Sequence, residues 1–185
     1  MTDSKRRWRR ILVYIVYFAF LIGLQAAWPA SWSRTAAKPN FILILAVLCA
    51  YLYSFSDALL CALIAGYFLD YLFGKTVGPG MLIMLGIALL SHYGLRKKLH
   101  ANIIGALLIC LLMSALFQLA STALSYLPLL NNDISSLWPG LGTYIRQTLW
   151  PAVRVNILPS ILLFVLLYFA GPYRRHSYDY VKLER

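Results

Sequence analysis

Hydrophobic residues in this chain come in six runs, at about 11–28, 40–54, 57–73, 79–95, 101–127 and 151–170. Turn formers and charged residues separate them. Each run is near the ~17–25 apolar residues that a membrane-crossing helix needs, the second being short. The pattern predicts an all-α integral membrane protein: six transmembrane helices in one bundle, forming a single domain over residues 1–185. The stretch 40–73 is too long for one crossing, because 34 residues at ~1.5 Å rise give roughly 51 Å against a hydrocarbon core of about 30 Å. It must fold back. Ser54-Phe55-Ser56-Asp57 is the expected turn, with Ser56 or Asp57 as N-cap of the third helix.

Composition removes the soluble alternatives. Of 185 residues, 61% are hydrophobic, and the mean hydropathy is +0.71. A small soluble domain has too little polar surface to cover that much apolar area. The net charge of +11 would suit a nucleic-acid binder. However, the basic residues stand at the ends of apolar runs, and no groove-reading motif or stacking platform accompanies them, so no nucleic-acid partner is expected. The charge reads as orientation instead. With the N-terminus inside, twelve Lys and Arg fall on inner segments: five before the first span, three at Arg96–Lys98 and four in the tail. The outer segments hold Arg34, Lys38, Lys75, Arg146 and Arg154. This asymmetry places both termini in the cytoplasm, and an even number of spans agrees with it. Trp28, Trp32, Trp138 and Trp150 then fall near the outer interface. The basic start followed by an apolar run resembles a signal peptide, but Gln25 spoils the site for cutting after Ala27, so the first span is expected to stay as an anchor. Cys49, Cys61 and Cys110 lie inside apolar runs without CxxC spacing and read as small buried hydrophobes.

Polar residues inside the runs carry most of the information. Asp70 sits within the third span, where a carboxylate is costly and needs a partner. Ala58, Ala62, Gly66, Asp70 and Gly74 recur every fourth residue, a small-residue stripe that either packs against a neighbouring span or receives a partner's membrane helix. In the fifth span Ser114, Gln118, Ser121 and Ser125 share one face, which should point inward. Arg154 opens the sixth span. Asp70, Gln118 and Arg154 are expected to meet as a polar cluster in the outer leaflet, the alternative being that Asp70 snorkels to the outer surface. Gly74-Lys75-Thr76 lacks the preceding spacing of a phosphate loop and reads as an outer turn, with Gly78 allowing positive φ and Pro79 starting the fourth helix. Residues 128–150 are long enough for an interfacial helix, with Tyr144, Ile145, Leu149 and Ala152 as its apolar face. Asn156 and Pro159 should kink the last span. His92, His100 and His176 lack metal-ligand spacing, and no nucleophile motif is present. The reading is therefore no enzyme, no metal and no cofactor.

At Lys38-Pro39-Asn40-Phe41, at Gly66-Tyr67-Phe68-Leu69-Asp70-Tyr71-Leu72-Phe73-Gly74 with Gly78, and at Leu149-Trp150-Pro151, the chain resembles the MreD family of bacterial rod-shape-determining membrane proteins. The family has an [RK]PN-aromatic opening to its second span and a GxxxDxxxGxxxG pattern. The resemblance implies a fold similar to the S-components of energy-coupling-factor transporters. It also implies a non-enzymatic scaffold subunit of the cell-elongation complex in the bacterial inner membrane, helping control cell shape and peptidoglycan synthesis. The implied partners are MreC, which has one membrane helix, then the MreB filament, RodA, penicillin-binding protein 2 and membrane lipid. Pro39, Asn40, Phe41, Gly66, Asp70, Gly74, Gly78, Gln118, Trp150 and Arg154 are the candidate groove or partner-binding residues. The competing reading is a small-molecule carrier, a vitamin-binding S-component proper, with Asn40, Asp70, Gln118 and Arg154 lining an outward-facing pocket. The departure from the family is the longer 128–150 segment with Asn131-Asn132-Asp133.

Overall fold

The computed structural model describes residues 3–29, 37–72, 78–95, 102–126 and 143–172, and all regular structure among them is helical. The elements are α1 (Asp3–Ala27), α2 (Phe41–Leu52), α3 (Phe55–Leu72), α4 (Pro79–Leu89) running into a π-helical turn (Leu90–Leu95), α5 (Ile103–Tyr126), a second π-helical turn (Ile145–Leu149), α6 (Trp150–Val155) and α7 (Ile157–Ala170). Four helical stretches are long and apolar enough to cross a membrane: Trp8–Ala27, Phe55–Leu72, Ile103–Leu124 and Ile145–Ala170. Two shorter apolar helices, Phe41–Leu52 and Pro79–Gly94, complete the set.

The architecture is organised around α2. Every residue from Pro39 to Tyr53 is buried, and α1, α3, α4, α5 and α7 all pack against this helix. Its 12 residues rise only about 18 Å, well short of a ~30 Å hydrocarbon core. A helix exposed to lipid would have to be longer, because free N–H and C=O groups at its ends are costly in hydrocarbon. This one is enclosed, and its ends are completed by side chains from its neighbours. The second hydrophobic run was short for that reason.

The turn into α3 lies where the sequence put it, but its cap is Ser54, not Ser56 or Asp57. The Asp57 N–H donates to Ser54 Oγ (3.4 Å), and the Ser54 hydroxyl donates to Asp57 Oδ2 (2.9 Å). Ser54 precedes the first helical residue, so its oxygen reaches the orphan amide three positions on. At the same end of the bundle Arg10 Nε lies 3.8 Å from the buried Asp57 carboxylate and ties α1 to α3. His92 Nδ1 lies 3.0 Å from Ala50 O at the end of α2. A carbonyl only accepts, so this nitrogen carries the proton. The Tyr53 hydroxyl donates to Leu167 O (3.1 Å), and the Tyr17 hydroxyl donates to Leu166 O and Ala170 O (3.4 and 3.3 Å). Tyr17 of α1 and Tyr53, just past α2, thus reach carbonyls in the last turns of α7, including those of Leu167 and Ala170 that the helix end leaves over.

The last span departs from the expected layout. Residues 127–142, including Asn131-Asn132-Asp133, fall outside the described residues. From Tyr144 onward the chain is not a separate helix on the surface: the π-helical turn runs straight into α6. The expected interruption at Asn156 and Pro159 is present. Pro159 has no N–H for the carbonyl of residue 155. The ladder breaks at Asn156, where Asn156 N–H turns back to Val153 O (3.2 Å).

Candidate functional site

Two polar constellations sit inside the bundle. The first surrounds the N-terminus of α2 and gives the Pro39-Asn40-Phe41 motif its physical meaning. Asn40 is 6% exposed. Its Oδ1 accepts from Leu43 N–H (3.1 Å), an ordinary side-chain cap. The Asn40 N–H donates to Asn156 Oδ1 (2.8 Å), and the Phe41 N–H donates to Gln25 Oε1 (2.8 Å). Asn156 spends its remaining capacity on α5 through Nδ2 to Ser114 Oγ, and its backbone carbonyl accepts from Ser160 Oγ (2.6 Å). One buried knot therefore joins α1, α2, α5 and α7, with Asn156 at its centre. Phe41 closes the lid of the knot against Trp28, ring centroids 5.4 Å apart. The amides of Asn40, Phe41 and Leu43 at the start of α2 each meet a side-chain acceptor from the chain itself.

The second constellation is Asp70. The carboxylate is 2% exposed and accepts from the Gly78 N–H at Oδ2 (2.9 Å) and from the Gly80 N–H at both oxygens (2.9 and 3.1 Å). These amides open α4, whose N-terminus carries partial positive charge. The carboxylate is held by backbone donors, and among the described residues no basic side chain pairs with it. Gly78, at φ 131°, adopts a conformation that side chains strain to reach. Gly66, one turn before Asp70, touches α4 directly: a Cβ there would collide with Met81 N and Cα and with Gly80 O, and one on Gly80 would run into Asp70 itself.

These observations revise several expectations. The anticipated cluster of Asp70, Gln118 and Arg154 does not form: no hydrogen bond or ion pair joins them among the described residues. Gln118 is half-buried and uses its backbone carbonyl, which accepts from the Tyr144 hydroxyl (3.2 Å). Tyr144 also meets Thr122. Arg154 is exposed, its guanidinium carbon 4.6 Å from the centre of the Trp150 ring. The small-residue stripe is used inside the chain, since α3 packs more extensively on α4 than any other two helices pack. Gly74 lies outside the described residues. Gln25, Ser114 and Asn156 are not among the site residues that the sequence suggests. From the sequence Asn156 reads as a helix breaker, and an amide side chain within an apolar span is the signal of a further role. Among the described residues no group of three His, Cys, Asp or Glu side chains is placed to hold a metal ion.

The fold and both constellations define a class: a multi-pass helical membrane protein whose internal polar groups join helices to one another. Residues 5–138, well over half the chain, match the family model for the rod shape-determining protein MreD. The chain belongs to the MreD family, which implies a role in rod-shape determination. No curated protein and no solved structure matches it.

Proposed function

We infer that this chain is a non-enzymatic scaffold subunit of the bacterial cell-elongation complex. It lies in the inner membrane as six spans with both termini in the cytoplasm, and it couples MreC to the proteins that build peptidoglycan. The observation that carries this reading is the family match, which takes in α1 to α5. The bonding supports it: Asp70, Asn40 and Asn156 are each engaged by groups of the same chain, as suits helix fixation more than turnover. Partner contact then belongs on outward faces, not on the Gly66 face. The widest such face is on α1, where Leu12, Ile15, Val16 and Phe20 are exposed and 17% of the apolar stretch is buried, against 39–44% in the other long spans.

The test is affinity isolation of the full chain from native membranes, followed by identification of what travels with it. Recovery of a single-span protein of the MreC type is the expected result. Recovery of an ATPase module with a bound vitamin instead would establish the carrier reading and reject the scaffold.

A further inference from the structure

The helix that closes the bundle carries an exposed edge that belongs to neither polar constellation. Arg146, Trp150, Arg154, Leu158 and Leu162 follow one another at four-residue intervals from the second π turn through α6 into α7, and all five are exposed. The two cations bracket an aromatic ring, and below them the edge is aliphatic.

Depth decides what such an edge meets. Arg10 marks the basic end of α1, and Gln25 of the same helix shares the polar knot with Asn156 through the start of α2. Fifteen residues separate Arg10 from Gln25, a rise of about 22 Å. Arg154 lies about 3 Å further on, so it falls roughly 25 Å from the Arg10 level in a core about 30 Å thick. Trp150 reaches the boundary of the hydrocarbon, and Arg146 lies about one further turn out, among headgroups. A guanidinium just inside the core, facing outward, must find an anion or reach one by snorkelling. Asp70, the carboxylate buried at the start of α4, is already bound by the amides that open that helix, and no ion pair to Arg154 is found among the described residues. The Arg154 guanidinium carbon lies 4.6 Å from the centre of the Trp150 ring, and this cation–π contact holds the cation at the ring while leaving it N–H groups to offer an anion.

We propose that Arg154, with Trp150 and Arg146, forms a binding site for the phosphate of a membrane lipid in the leaflet opposite the basic N-terminus. The lipid's hydrocarbon chain lies along Leu158 and Leu162. Charge complementarity selects this occupant: two cations straddle the expected phosphate plane, an indole sits at the interface, and an aliphatic strip begins where acyl or prenyl chains begin. The inference depends on the membrane class of the chain and not on the identity of its protein partners.

The full-length protein in detergent, titrated with phosphatidylglycerol and observed by native mass spectrometry, tests it. The wild type is expected to retain one phosphatidylglycerol at least fivefold more tightly than a diacylglycerol with the same chains. Arg154→Gln should abolish that preference, Arg146→Gln should weaken it, and Arg154→Lys should keep part of it, since charge survives without the planar guanidinium. Trp150→Leu, which removes the cation–π contact and keeps both cations, serves if Arg154→Gln fails to fold, and should weaken the preference several-fold. Equal retention of the two lipids by the wild type, or an undiminished preference in Arg154→Gln or Trp150→Leu, overturns the proposal. So does a cross-link showing Arg154 against a carboxylate of a partner helix in native membranes.

Discussion

Asp70 is the residue at which charge, backbone geometry and membrane depth meet. Its carboxylate closes the turn between α3 and α4 by accepting from two amides that hydrocarbon would otherwise leave bare. Asp70→Ala removes the acceptor and the charge together and should destabilise the folded protein by about 3 kcal/mol, since each orphaned buried amide costs ~1–3 kcal/mol. Asp70→Asn keeps one acceptor oxygen and should fall between the two. Thermal unfolding of the purified protein in detergent measures both, and equal stability of all three forms would show that the carboxylate has no structural work. The sequence made Asp70 conspicuous but pointed to the wrong partner. Basic and amide side chains are visible in a sequence, whereas a pair of backbone amides held by a positive-φ glycine is not.

At the scale of elements, side-chain size and helix breaks set the packing. Gly66 lets α3 and α4 touch through their backbones. Gly66→Leu sets a side chain against the backbone of Met81, which cannot give way as a flexible side chain would. The penalty should exceed the ~1–3 kcal/mol of ordinary overpacking. Size-exclusion chromatography should then show little monodisperse protein, while Gly86→Leu, at an exposed glycine with open space beside it, should behave as wild type. The break at Asn156 carries a comparable load. Asn156→Leu strips the partner from the Asn40 amide and the Ser114 hydroxyl, a loss of about 2–4 kcal/mol. Unfolding followed by circular dichroism should report it. Helix positions were legible because apolar runs and their interruptions are local. The capping residue at Ser54 and the merging of Tyr144 into the last helix were not, since both depend on where neighbouring backbone stops.

For the whole molecule, hydropathy determined the class, the number of apolar segments and the chain's return after Ser54. It gave no ranking of which segment is innermost. That rank follows from tertiary packing, in which the shortest run is the most enclosed. One consequence is chemical. Cys49, Cys61 and Cys110 are 0%, 2% and 1% exposed, one on each of α2, α3 and α5. All three thiols should resist a maleimide reagent in mild detergent and react once the bundle is opened in dodecyl sulfate, as mass spectrometry of the labelled chain will show. Rapid labelling of Cys49 in the folded state would contradict the central position of α2.

The knot at the start of α2 also dictates a schedule. Its amides belong to residues 40, 41 and 43, yet their acceptors include a side chain at 156, more than a hundred residues later in synthesis. A ribosome-bound chain that has released α1 to α5 still lacks this member of its own centre. Until the final hydrophobic stretch leaves the translocon, the half-made protein holds an unfinished core in oil. Chains halted before that point should therefore be the ones a membrane protease clears first, whereas chains halted just past residue 172 should persist.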